Sequence, residues 1–99
     1  MPEASIIGWA HSPFGKLEAE PDLESLITRV ARAAIEDAGI SAAEIDAGFV
    51  GVFGEGFTPQ GFPASLLLQS VPEMRFKPIT RYENACATGS AAINGARDF

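Results

Sequence analysis

Cys86 is the one thiol among the 99 residues, and it lies in the stretch "RYENACATGSAA". A cysteine attacks a carbonyl carbon as its thiolate. The first turn of a helix favours that form, because its N–H groups are unpaired and carry partial positive charge. The residues before Cys86, "KPITRYENA", read as a strand, and those after it, "TGSAAINGARDF", begin a small-residue helix. The cysteine therefore falls where a strand hands over to a helix, and its own backbone N–H can meet a developing oxyanion. Gly89 and its small neighbours leave room for a substrate or a second helix to approach. Residue type and position point to a nucleophile for acyl transfer. The competing reading is a free cysteine that packs as a small hydrophobe.

The other chemistry-bearing residues are weaker candidates. His11 is the only histidine. It invites a Cys–His dyad, but at the end of a first strand it suits a structural hydrogen bond better. "GVFGEGFTPQG" follows a strand, yet its glycines miss the G-x-G-x-x-G spacing and no Gly-Lys-Ser/Thr is present, so a connecting loop is expected. Arg75, Lys77 and Arg81 form a loose basic cluster that could meet phosphates, with a solvated strand edge as the simpler reading. Glu83 and Asn84 are expected to hydrogen-bond within the strand end or across a dimer interface, and Asn84 either shapes the site or forms a turn. Trp9 and the seven phenylalanines read as core or interface. One cysteine excludes an internal disulfide and four-cysteine zinc patterns, so no metal site is expected.

The composition is that of a folded domain, 46% hydrophobic and 20% charged, and it argues against disorder. A formal net charge of −6 without a basic patch argues against nucleic acid and anionic membranes as partners. A single reduced thiol suits the cytoplasm. The N-terminus lacks the pattern of a signal peptide, and the longest apolar runs are too short to span a bilayer.

These residues need elements to position them. "ASIIGWAHSPFG" predicts a first strand over Ser5–His11. "PDLESLITRVARAAIEDAGI" predicts an amphipathic helix, with Leu23, Leu26, Ile27, Val30, Ala34 and Ala38 on its apolar side and Arg29, Arg32, Glu36 and Asp37 toward solvent. Asp22 is its expected N-cap and Gly39 its stop. Ser41 and Glu44 have capping-box spacing for a short helix. "AGFVGVF" reads as a buried parallel strand, "FPASLLLQS" as a two-turn helix, and "KPITRYENA" as the third strand. The resulting β-α-β-α-β-α order predicts an α/β layer structure with parallel strands and right-handed crossovers. No helix-stop signal precedes Phe99, and three strands leave exposed sheet edges, so an N-terminal piece of a larger fold is expected.

"ENACATGSAAI" resembles the nucleophile segment of the thiolases, in which a strand ends at a cysteine followed by small residues opening a buried helix. "NACATGS" is closest to the branch that includes the sterol-carrier-protein type and related bacterial and archaeal acetyl-CoA acetyltransferases. "IIGWAHSPFGK", "LESLITRVARAAIEDAGIS" and "IDAGFVGVF" come in the order of that family's N-terminus, so the resemblance covers residues 1–99.

The resemblance implies an incomplete N-terminal half of a thiolase-like layered fold, with the rest of that domain and a C-terminal domain absent. It implies that Cys86 takes the acyl group of an acyl-CoA as a thioester, and that acetyl-CoA or CoA completes Claisen condensation or thiolysis. It further implies no covalently bound cofactor, coenzyme A and acyl-CoA as substrates, and a homodimer or homotetramer in the complete protein. The family's histidine motif and second catalytic cysteine are not among these residues, so the segment alone is expected to be inactive. The alternatives are a ketoacyl synthase acting on acyl carrier protein and a non-catalytic scaffold subunit.

Overall fold

The computed structural model describes residues 3–16, 22–54 and 59–99. Among them the order is α1 (Leu23–Ala38), β1 (Gly48–Gly51), α2 (Leu66–Ser70), β2 (Ile79–Tyr82) and α3 (Thr88–Asp98). Single 3₁₀ turns at Ala42–Glu44, Pro63–Ser65, Pro72–Met74 and Ala85–Ala87 punctuate the connections. β1 and β2 pair in parallel, with Gly48 opposite Ile79 and Gly51 opposite Tyr82. The α/β class and the parallel pairing are as expected. The layered β-α-β-α-β-α start is not, because the described sheet has two strands.

The missing strand is Ser5–His11, which forms no ladder. Its backbone is engaged by a helix instead. The Trp9 N–H donates to the Asp37 carboxylate at 3.0 Å. Gly8 presses so closely on α1 that a Cβ there would lie 2.6 Å from the Ala38 nitrogen. β-Branched and aromatic composition favours a strand only where a neighbouring strand supplies a ladder. Here Ile6 and Trp9 remain 82% and 66% exposed.

α1 follows its sequence signals. Asp22 accepts the Ser25 N–H at 2.8 Å, which satisfies one of the orphan donors of the first turn. Gly39 ends the helix at φ 69°, and its N–H reaches the carbonyls of Ile35 and Glu36. That left-handed conformation is one glycine adopts without steric cost. Arg29, Arg32, Glu36 and Asp37 are exposed as expected, and Arg32 reaches across to Glu73 at 3.4 Å. The Ser41–Glu44 box also forms, with the Glu44 carboxylate accepting the Ser41 N–H at 2.9 Å and Ser41 Oγ accepting the Ala43 N–H at 3.3 Å. It caps one 3₁₀ turn rather than a longer helix.

The core gathers between α1, α2 and the turn before β2. Ala42, Val71 and Met74 are buried, with Ala31, Ile35, Ile45, Leu67, Leu68 and Ile79 packed against them. Lys77 ties the rim by donating to the Ala43 carbonyl at 2.7 Å and to the Ile45 carbonyl. A Thr28–Ser70 hydroxyl pair at 2.7 Å links α1 to the end of α2. These contacts fix β1 and β2 side by side, so both strands end on the side of the molecule that carries Cys86. No helix among the described residues is long and apolar enough to cross a membrane.

Candidate functional site at the end of β2

β2 ends at Tyr82, and α3 begins at Thr88. The five residues between them make the turn that holds Cys86. Cys86 sits in the 3₁₀ turn Ala85–Ala87, ahead of the α3 cap residue Ala87, and its side chain is exposed. The handover from strand to helix is thus where the sequence implied. The thiol precedes the first α-helical turn rather than lying within it, and it is a surface group, not a packed hydrophobe.

The turn is built around an unusual backbone. Ala85 has φ 46°, a left-handed conformation that costs a residue with a Cβ about 1–2 kcal/mol. Local hydrogen bonds hold it there. The Glu83 carboxylate accepts the Ala85 N–H at 2.6 Å. The Ala85 carbonyl accepts the Thr88 hydroxyl at 2.7 Å and also the Thr88 backbone N–H. Thr88 Oγ1 in turn accepts the Asn84 N–H at 2.9 Å, and the Asn84 carbonyl accepts the Ala87 N–H at 2.8 Å. Strain kept in place by several partners is characteristic of functional turns.

The sequence candidates separate. Glu83 lies exposed just past the end of β2, not in a buried strand end, and its carboxylate holds the Ala85 N–H of the turn. Asn84 contributes through its backbone, as a turn residue. His11 Nδ1 donates to the Ser12 carbonyl at 2.7 Å, and its ring stacks on Trp9 with centroids 5.1 Å apart, the structural role expected of it. The basic residues do not converge. Arg75 lies over the Phe76 ring, Lys77 is committed to carbonyls, and Arg81 donates to the Val52 carbonyl at 3.4 Å. Arg75 and Lys77 also precede β2, whereas Cys86 follows it. Residues 55–58 of the glycine-rich loop lie outside the described residues. No group of three or more potential metal ligands occurs among the described residues.

Two features of the site had no reading in the sequence. Ala85 gave no signal, because alanine ordinarily avoids positive φ. Thr88, two residues after the cysteine, is buried and grips the turn. Its approach to β1 depends on Gly51, where a Cβ would lie 2.9 Å from Thr88 Cγ2 and 3.0 Å from its carbonyl oxygen. The signals that could have revealed this are a hydroxyl residue four positions after Asn84 and a glycine closing β1.

No family model matches the chain. It is similar to an acetyl-CoA acetyltransferase of Methanocaldococcus jannaschii, at 38% identity over 97 residues, covering 97% of this chain and 24% of the relative. It is also similar to an acetyl-CoA acetyltransferase of Methanothermobacter thermautotrophicus, at 33% identity over 93 residues, covering 94% of this chain and 24% of the relative. The chain thus spans about a quarter of the length of these curated relatives.

Proposed function

We propose that the chain is the nucleophile-bearing part of a thiolase-type acyltransferase acting on acyl-CoA thioesters, in a protein of its relatives' length. The observation that carries this reading is the similarity of nearly the whole chain to two proteins named acetyl-CoA acetyltransferase. The exposed thiol in a strained turn between a parallel strand and a helix supports it. In this reading the Cys86 thiolate attacks the thioester carbonyl of an acyl-CoA. A sulfur–carbon bond forms, and the carbonyl electrons move onto oxygen, where the Cys86 backbone N–H stabilises the charge. The intermediate collapses, the bond to the coenzyme A sulfur breaks, and coenzyme A leaves as its thiolate. The acyl group now rests on Cys86. In condensation the α-carbanion of a second acetyl-CoA takes it. In thiolysis the Cys86 thiolate instead attacks the 3-keto carbonyl of a 3-ketoacyl-CoA, the C2–C3 bond breaks, acetyl-CoA leaves as its enolate and is protonated, and the thiolate of coenzyme A then takes the acyl group from Cys86.

By resemblance to the thiolases, a histidine motif and a second cysteine outside these residues serve the second half, while His11 donates to the Ser12 carbonyl and stacks on Trp9. Coenzyme A thioesters are substrates in this account, with no resident cofactor. Assembly as a homodimer or homotetramer and a cytoplasmic setting belong to the same reading. The exposed Ile6, Ile93 and Phe99, at 82%, 62% and 73%, supply apolar surface for further contacts.

Assay of acetoacetyl-CoA thiolysis by the full-length protein tests the reading. Cys86→Ala and Cys86→Ser are expected to lose activity by at least about a thousandfold. Retained activity in both variants would remove Cys86 from the reaction. A strong preference for acyl carrier protein over coenzyme A would shift the reading to a ketoacyl synthase.

A further inference from the structure

Thr88 is 7% exposed, and its hydroxyl is spent on the turn that carries Cys86. It accepts the Asn84 N–H at 2.9 Å and donates to the Ala85 carbonyl at 2.7 Å. On its other side the methyl group seats against β1, where Gly51 leaves no room for a Cβ. The side chain is therefore held from the sheet and holds the two residues immediately before the cysteine.

We infer that Thr88 is a positioning residue for the proposed acyl transfer, its hydroxyl bracing Asn84 and Ala85 so that the Cys86 thiol and N–H keep a fixed direction. This rests on the reading of Cys86 as the acyl acceptor. The role needs one group that donates and accepts at once, in a space bounded by β1. A hydroxyl does both, and a methyl group of the same size does neither. Without it the Asn84 N–H loses its acceptor, and Ala85 loses one of the bonds that keep it left-handed. Relaxation of Ala85 toward the ordinary helical region would rotate the peptide that contains the Cys86 N–H. Oxyanion stabilisation depends on donor placement within tenths of an ångström, so a small rotation should be felt in the chemical step more than in binding.

The experiment compares the full-length parent with Thr88→Val, Thr88→Ala and Thr88→Ser. Each is assayed for acetylation of Cys86 by acetyl-CoA, for kcat and KM, and for the rate of Cys86 alkylation by iodoacetamide, read on the Cys86 peptide. Thr88→Val and Thr88→Ala are expected to lower acetylation and kcat by about ten- to a hundredfold, with KM within about twofold. Thr88→Ser is expected to restore both to within about threefold of the parent. A purely structural role would lower the melting temperature and leave kcat of the folded fraction intact. The inference is overturned if the valine and alanine variants are acetylated at the parental rate, or if serine is as slow as they are. If the parent itself is not acetylated, the acyl-acceptor reading fails, and the alkylation series decides the bracing alone. There, the valine and alanine variants should differ from the parent and serine forms by about fivefold or more, and equal rates in all forms overturn the inference. The alanine variant keeps the comparison open should valine overpack against Gly51 and fail to fold.

Discussion

Ala85 stands at φ 46° with a Cβ in place, and the strain has a measurable consequence. Ala85→Gly should leave stability unchanged or raise it by up to about 1 kcal/mol, because relief of about 1–2 kcal/mol exceeds the extra chain entropy of glycine. Ala85→Val should lower it, since a β-branched residue is less tolerant of positive φ. Chemical denaturation of the two variants checks both signs. This residue also marks the limit of what the sequence could convey at the site. The place of Cys86 was legible, because strand-like "ITRY" and small-residue "TGSAA" bracket it. The left-handed alanine was not, because it results from three hydrogen bonds contributed by Glu83 and Thr88 rather than from alanine's own preference. For the loose basic cluster the solvated strand edge was the preferred reading. Charge spacing along the chain does not reveal that Lys77 is held by backbone carbonyls.

α1 was the most legible element, because its cap, apolar side and glycine stop are all local signals. The capping carboxylate of Asp22 is held below the ordinary carboxylate range, first by the Ser25 backbone N–H and then by the Ser25 hydroxyl. A lowered native value means that the stabilisation is fully present above the unfolded value, near pH ~3.9. It is lost as pH falls through the lower native one. Asp22→Asn keeps a capping acceptor without the titration. The difference in helix content between parent and Asp22→Asn, followed by far-ultraviolet circular dichroism, should therefore be constant near neutrality and change only on acidification. A difference that grows above pH ~5 would contradict the assignment. The strand expected at Ser5–His11 failed for a non-local reason. Its β-branched and aromatic composition was strand-like, but Asp37 and the last turn of α1 claim its backbone. Helix α3 is seated on the sheet through Gly95, where a Cβ would lie 2.5 Å from the Tyr82 ring. Gly95→Ala should cost about 1–3 kcal/mol through overpacking, despite alanine's better helix propensity.

At the scale of the whole molecule, the described core is small and concentrated at Ala42, Val71 and Met74. Met74→Ala should destabilise the fold by about 2–5 kcal/mol, and a denaturation midpoint within error of the parent would place the stabilising contacts elsewhere. The α/β class was legible from alternating element types, and parallel pairing followed from the apolar run at "AGFVGVF". The number of paired strands was not legible, because a ladder depends on partners distant in sequence. The similarity to acetyl-CoA acetyltransferases spans nearly all of the chain but a quarter of each relative, and the proposed function assigns these residues the acyl acceptor. The most direct test is incubation of the full-length protein with acetyl-CoA, followed by acid quench and peptide mass spectrometry. The account predicts one acetyl group on the peptide containing Cys86, discharged when coenzyme A is added. An unmodified Cys86 peptide in protein that turns over, or acetylation only at another residue, would contradict it.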